Sequence, residues 1–202
     1  MKPTAVLFDI GNVFVEWDPK FLYQKLIADQ DELDAFLANV VTLEWHSEHD
    51  RGRPFTEGVE VLSKQFPEYS GLIGYFDTRW RETINGLIPG TVDIMLELLE
   101  RGIGVFGLTN FSDEKWPEFC REFDFTGHFA GVVVSGEEKL IKPDPRIFQT
   151  ALSRFNLEPE ATVYVDDRRE NVLAAEQLNM IGHQFFNPVE LRRSLTSFGL
   201  LD

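Results

Sequence analysis

Residues 5–18 read AVLFDIGNVFVEWD. Ala5–Phe8 is a short unbroken apolar run and Asp9 ends it. A run this apolar and this short suits a strand buried on both faces of a parallel sheet. It is too short to span a bilayer. Two acids interrupt or follow it, and no small-residue cleavage site comes after it. The expectation is a buried strand of a cytoplasmic protein, with Asp9 at the strand's carboxyl end.

Four more runs of the same kind follow: Gly104–Thr109, Gly131–Ser135, Thr162–Asp166 and, more weakly, Ile181–Phe186. Helical periodicity lies between them. Thr91–Arg101 places Val92, Ile94, Met95, Leu98 and Leu99 on one stripe and stops at Gly102; Asp144–Phe155 and Glu170–Leu178 behave alike. Strands alternating with helices predict an α/β fold, a parallel sheet covered on both faces. Residues 20–86 break the rhythm. Phe21, Leu22, Leu26 and Ile27, then Leu33, Phe36 and Leu37, then Val59, Leu62 and Phe66 recur at helical spacing, with no convincing strand. Pro19 opens this stretch and Pro89–Gly90 follows it. An all-helical insert over 18–88 is therefore expected between the first strand and the rest of the sheet, leaving 1–17 and 89–202 as the core.

The chain has 202 residues, 43% hydrophobic and 26% charged, and a net charge of −15. It is long enough to bury a core without staples, and the lone Cys120 excludes an internal disulfide. Charge of this sign repels nucleic acid and anionic membranes, and no basic run offsets it. Neither is expected as a partner; monomer and homodimer both remain open. A phosphorylated substrate would need a local positive centre.

Ligands of open parallel sheets bind beyond the carboxyl ends of the strands. The polar residues expected there are Asp9, Thr109 with Asn110, Asp166 with Asp167, and Lys142 in the loop after the third strand. Three crowded carboxylates repel unless a cation joins them, and an all-oxygen set suits a hard divalent ion, magnesium above all. Lys142 can hold a phosphoryl oxygen and steady Asp9, Thr109 can donate to the same group, and Asn110 can orient the substrate. A carboxylate nucleophile, a metal and a lysine together suit phosphoryl transfer through an aspartyl-phosphate.

FDIGNV (8–13), GLTN (107–110), KPDPRIF (142–148) and VYVDD (163–167), in this order, resemble the four motifs of the haloacid dehalogenase-like (HAD) superfamily across nearly the whole chain. The resemblance implies a three-layer Rossmann-like core with a small helical cap inserted after the first strand. It implies Asp9 as nucleophile, Thr109 and Lys142 as phosphate holders, Asp9 and the Gly11 carbonyl as magnesium ligands, and Asp166 and Asp167 as binding magnesium directly or through water. It implies a small phosphorylated metabolite as substrate. Most phosphatases of the superfamily carry a second aspartate two residues after the nucleophile, which protonates the leaving oxygen. Gly11 stands there instead. Glu16 and Asp18 are the nearby acids that could reach back. FDIGNVFVEWDP, and EHDRGRPFTEGV (48–59) in the cap, resemble a DxGN subgroup that contains sugar-phosphate phosphatases, glucose-1-phosphate phosphatases among them.

In the cap, Arg51 and Arg53 flank Gly52 and are placed either at the substrate or in surface pairs. His46 and His49 lack the partner ligands of a metal site. Trp45, Trp80 and Phe76 are expected in the cap core, and Asn171 beside the acidic loop. The rival chemistries are a metal-free 2-haloacid dehalogenase, whose halide needs no proton, and a catalytically silent phosphometabolite-binding relative.

Overall fold

The computed structural model describes residues 2–202. Its strands are β1 (Ala5–Phe8), β2 (Val15–Trp17), β3 (Ile84–Leu87), β4 (Gly104–Thr109), β5 (Val132–Val134), β6 (Thr162–Asp166) and β7 (Ile181–Gln184). Five of them form one sheet in the order β5-β4-β1-β6-β7, with every pair parallel. The runs and helices expected from the sequence lie where they were placed, with ends shifted by a residue or two.

β1 is central because nothing in it needs water: all four residues are buried. Alternation then sends its side chains to two layers. Leu7 joins Leu108, Val133 and Tyr164 under α9 (Pro145–Arg154) and α10 (Arg169–Glu176), packing on Ile147, Phe148 and Ala175. Val6 and Phe8 face the opposite layer, with Ile94, Met95 and Leu98 of α6 (Thr91–Glu100) and Leu191 and Leu195 of α11 (Pro188–Ser197). Phe8 lies level with Gly107 of β4 and Val165 of β6. One residue on, Asp9, Leu108 and Asp166 therefore share the sheet's carboxyl edge.

Between β2 and β3 the chain is helical: α1 (Lys20–Tyr23), α2 (Gln30–Asn39), α3 (Leu43–Asp50), α4 (Phe55–Gln65) and α5 (Ser70–Thr78). Asp29 caps α2 by accepting from the Glu32 amide and Thr42 caps α3 by accepting from that of Trp45, which satisfies amides the helix start leaves free. The short helices α7 (Trp116–Glu122) and α8 (Ser135–Glu138) follow β4 and β5.

The antiparallel pair β2–β3 was not expected. It is a ribbon of three and four residues with a register shift between Glu16 and Trp17, too short and irregular to leave an alternation in the sequence. It brings both ends of the helical segment together beside Asp9.

Gly58 lets α4 close on α3. A Cβ built there would lie 2.2 Å from Cε1 and 2.5 Å from Nε2 of His49. His49 is fully buried and stacks on Phe55 at 4.3 Å, so it has nowhere to go. Alanine in place of a helical glycine ordinarily gains about 1 kcal/mol, whereas overpacking a tight core costs about 1–3 kcal/mol. Gly58→Ala is expected to lower stability in urea denaturation, whereas Gly71→Ala, where a Cβ meets nothing within 4 Å, raises it.

Candidate active site

Lys142 is the centre of the carboxyl edge. Its side chain is 1% exposed, and Nζ lies 2.8 Å from Asp9 Oδ1 and 2.8 Å from Asp166 Oδ2. It also donates to the Leu108 carbonyl at 3.0 Å. All three ammonium protons thus have acceptors, which is what an ammonium out of water requires. The two carboxylates raise its pKa against the opposing effect of burial. Asn110 fixes the Lys142 main chain at two points, accepting from its amide at 2.8 Å and donating to its carbonyl at 3.1 Å.

Asp166 is the most heavily bonded acid of the chain. Besides Lys142 it accepts from Tyr164 Oη at 2.5 Å, from Asn171 Nδ2 at 3.0 and 3.1 Å and from the Arg168 amide at 2.8 Å. Burial opposes its charge, but Lys142 and these donors outweigh burial and lower its pKa. Asp9 differs. Burial, with the fields of Asp166 and Asp167, raises its pKa well above the ordinary value despite Lys142. Asp167 is pushed up to about 6 by burial and by Asp166. Oxygens of Asp9, Asp166 and Asp167 lie within 4.8 Å of one another. Two strained acids and one ionised acid on a small oxygen-lined floor fit a hard divalent cation.

These residues open on a cleft of about 580 Å³ between the sheet edge and the helical segment. Asp9, Gly11, Asn110, Lys142, Asp167 and Asn171 line it. Thr109 ends β4 and is buried at 1% exposure, with Asn110 rather than Thr109 reaching the cleft wall.

Residues 3–179 match the family model of the haloacid dehalogenase-like hydrolases. The chain belongs to this family. It is 27% identical over 184 residues to a sesquiterpene phosphatase of Aspergillus oryzae, covering 88% of this chain and 87% of that one. It is 32% identical over 92 residues to a phosphoserine phosphatase of Thermus thermophilus, covering 46% of this chain and 37% of that one. A magnesium complex of a HAD family enzyme from Bacteroides thetaiotaomicron superposes with a TM-score of 0.73 at 21% identity, covering 93% and 95% of the two chains. L-2-haloacid dehalogenase from Xanthobacter autotrophicus superposes with a TM-score of 0.64 at 14% identity, covering 96% and 83%. At these identities the superpositions show the shared fold; the sequence relatives of this HAD-like hydrolase include phosphatases.

Some sequence expectations do not reach the cleft. Arg51 pairs with Glu48 one turn back and is 45% exposed, so the structure does not bring it to the substrate side. Arg53 donates to the Trp45 carbonyl at 2.7 Å and lies over its ring. Glu16 accepts from Asn85, and Asp18 from the Lys20 amide; neither acid reaches back to Gly11. Trp45 and Phe76 pack together at 5.1 Å, and Trp80 is buried in the same apolar cluster while one edge of it lines the cleft. Four contributors were missed. Tyr164 bonds Asp166. Asn12 takes a left-handed conformation (φ 55°), tolerable for asparagine, and accepts from the Trp17 amide at 3.0 Å. Ser135 and Asp50 join the helical segment to the core. The asparagine after Gly11 was a legible turn signal; the others depend on tertiary contacts.

Removing one partner of a buried ion pair strands the other and costs about 3–5 kcal/mol. Lys142→Met, measured by chemical denaturation in chelator, is expected to lose that much. Arg51→Ala, away from the cleft, is expected to leave both stability and the ranking of substrates nearly unchanged in the same preparation.

Proposed function

We propose that this hydrolase cleaves phosphomonoesters, with Asp9 as nucleophile and magnesium held by Asp9, the Gly11 carbonyl, Asp166 and Asp167. The observation that carries the reading is the convergence of three acids and one buried lysine, with Asp9, Asp167 and Lys142 lining a single cleft and Asp166 buried beside them. A metal-free dehalogenase would gain nothing from Asp167, whose charge costs more in that position than in water.

In this reading Asp9 attacks phosphorus, the ester oxygen leaves, and water then opens the aspartyl-phosphate. Lys142 supplies positive charge where the phosphoryl oxygens gather and holds Asp9 in line. Thr109, buried at the end of β4, stays behind the cleft wall. Asn110 acts by keeping Lys142 in place. The cation would neutralise the acids and polarise the phosphoryl group. Residues 18–88 serve as the cap over a core of 1–17 and 89–202, excluding water when closed.

The cleft walls bear on the substrate. Polar residues such as Glu44, Ser47 and Ser112 line part of it, but one wall is made of the apolar side chains of Trp17, Leu43, Trp80, Ile84, Phe111 and Ile141. They suit an apolar organic group, in keeping with the sesquiterpene phosphatase among the relatives. This reading replaces sugar phosphates with apolar phosphomonoesters of small size.

Asp9→Asn keeps the shape and removes the nucleophile. Phosphate release from p-nitrophenyl phosphate with magnesium is expected to fall by several orders of magnitude, and chelator is expected to abolish it in the native enzyme. In the same assay a prenyl monophosphate is expected to have a higher kcat/KM than glucose 1-phosphate. Full turnover in chelator overturns the metal assignment; the reverse ranking overturns the apolar substrate.

A further inference from the structure

Gly11 leaves one chemical role unfilled. An alkoxide leaving group needs a proton, and the side chain after the nucleophile cannot give one. Asp50, the last residue of α3, is 7% exposed and lines the same cleft as Asp9, Gly11 and Lys142. Its main chain is tied to the core. Ser135 Oγ donates to the Asp50 carbonyl at 2.6 Å and accepts from the Phe111 amide at 2.9 Å. Asp50 is thereby held against the loop that follows β4.

The groups around its carboxyl are one imidazole and two more distant cations. Oδ2 lies 3.5 Å from His46 Nε2, and His46 itself stacks on Trp17 at 4.7 Å. Lys142, across the cleft, and Arg51, next in the chain, are the cations whose fields reach it. From α8, packed against α3, the group that meets Asp50 is the uncharged Ser135. Burial outweighs both cations and pushes Asp50 up to about 8. Burial, with the field of Arg53, pushes His46 down to about 4. Both shifts favour the uncharged pair, a protonated carboxyl beside a neutral imidazole.

We propose that Asp50 is the catalytic acid–base of this cleft, a role taken by a cap residue in place of the missing side chain at Gly11. The proposal rests on the phosphatase reading. In the first step the Asp9 carboxylate forms a bond to phosphorus, the ester P–O bond breaks, and the Asp50 proton passes to the departing alcohol oxygen. In the second step the Asp50 carboxylate takes a proton from water, the hydroxyl oxygen bonds to phosphorus, the bond to Asp9 breaks, and inorganic phosphate leaves. Asp9 and Asp50 return to their starting states. The acid operates only while Asp50 is protonated, so the first step weakens as pH rises through about 8. A carboxyl held by the cap is in place only when the cap is closed, which couples proton delivery to exclusion of water.

The test compares two esters in magnesium. For hexyl phosphate, whose alcohol is a poor leaving group, Asp50→Asn is expected to lower kcat/KM on the order of 10²- to 10⁴-fold. For p-nitrophenyl phosphate, whose phenolate leaves unaided, the loss in kcat/KM is expected to be smaller by about tenfold or more, since that parameter ends at phosphoryl transfer to Asp9. Native kcat/KM for hexyl phosphate is expected to fall above about pH 8, a limb that Asp50→Asn removes. A Cβ at Gly11 meets nothing within 4 Å, so Gly11→Asp added to Asp50→Asn is expected to recover part of the hexyl phosphate activity. Equal losses on both esters, or an alkaline limb that survives Asp50→Asn, overturn the assignment. If Asp50→Asn does not fold, the native profile decides, and a flat profile to pH 9.5 overturns it. Failure of the native enzyme on both esters sinks the phosphatase reading instead, a different result from any of these.

Discussion

One buried ammonium organises this molecule. Lys142 sits 2.8 Å from two carboxylates on different strand ends, at 1% exposure. Without it, Asp9 and Asp166 would face each other across a dry sheet edge. Pairing alone does not make such a group stable, because desolvation consumes most of the Coulombic gain. Its third proton goes to the Leu108 carbonyl, and Asn110 clamps its main chain from both sides. The geometry is therefore over-determined, as a preorganised site must be. The arrangement also splits two chemically similar acids. Asp166, bonded by Tyr164, Asn171 and the Arg168 amide, stays ionised; Asp9, with fewer donors, bears the strain. The proposed nucleophile is thus the less bonded of the two acids.

The helical segment is joined to that centre by few but specific contacts. Glu114 of the core accepts from the Phe55 amide at 2.8 Å, Lys115 donates to Asp77 at 2.6 Å, and Ser135 donates to the Asp50 carbonyl. The apolar layer on the Val6–Phe8 face continues through Phe14 and Phe111 into Phe36, Trp45 and Phe76. Burial thus favours contact between the two parts, while the polar ties set where α3 stops. No helix among the described residues is long and apolar enough to cross a membrane.

Much of the fold was legible because a buried parallel strand must be apolar on both faces, and four of the five runs of the sheet are; β7, an edge strand reading IGHQ, is only half-buried. The acid at the end of each of two runs, and the lysine between them, could be placed at one edge by the same rule. What could not be read was anything set by contact across the chain. Three-residue β2 carries no alternation. Arg51 looked like a substrate arginine until Glu48, three residues earlier on the same helix, proved to be its partner. Asn110 has the chemistry to orient a ligand, yet both ends of its amide are taken by Lys142. Asp50 looks in the sequence like one more surface acid of an acidic chain; only burial between α3 and the sheet edge changes what its carboxyl can do.

That difference bears on why the turn after Asp9 can hold glycine. A carboxylate at position 11 would add a fourth acid beside Asp9, Asp166 and Asp167, two of which already titrate high. Like charges in such a cluster push one another toward the neutral form, and every added acid makes the site depend more on its cation. An acid on α3 escapes this field. The charges that reach Asp50 are cations, Lys142 and Arg51, and its protonated state comes from burial instead of from its neighbours. On the proposed mechanism, proton donation would depend mainly on burial in the cap and metal binding on the acids of the sheet edge, with Lys142 acting on both. Asn12 shapes the same turn: it takes a left-handed conformation and accepts from the Trp17 amide, which sets the start of β2 beside the cleft that Gly11, Val15 and Trp17 line.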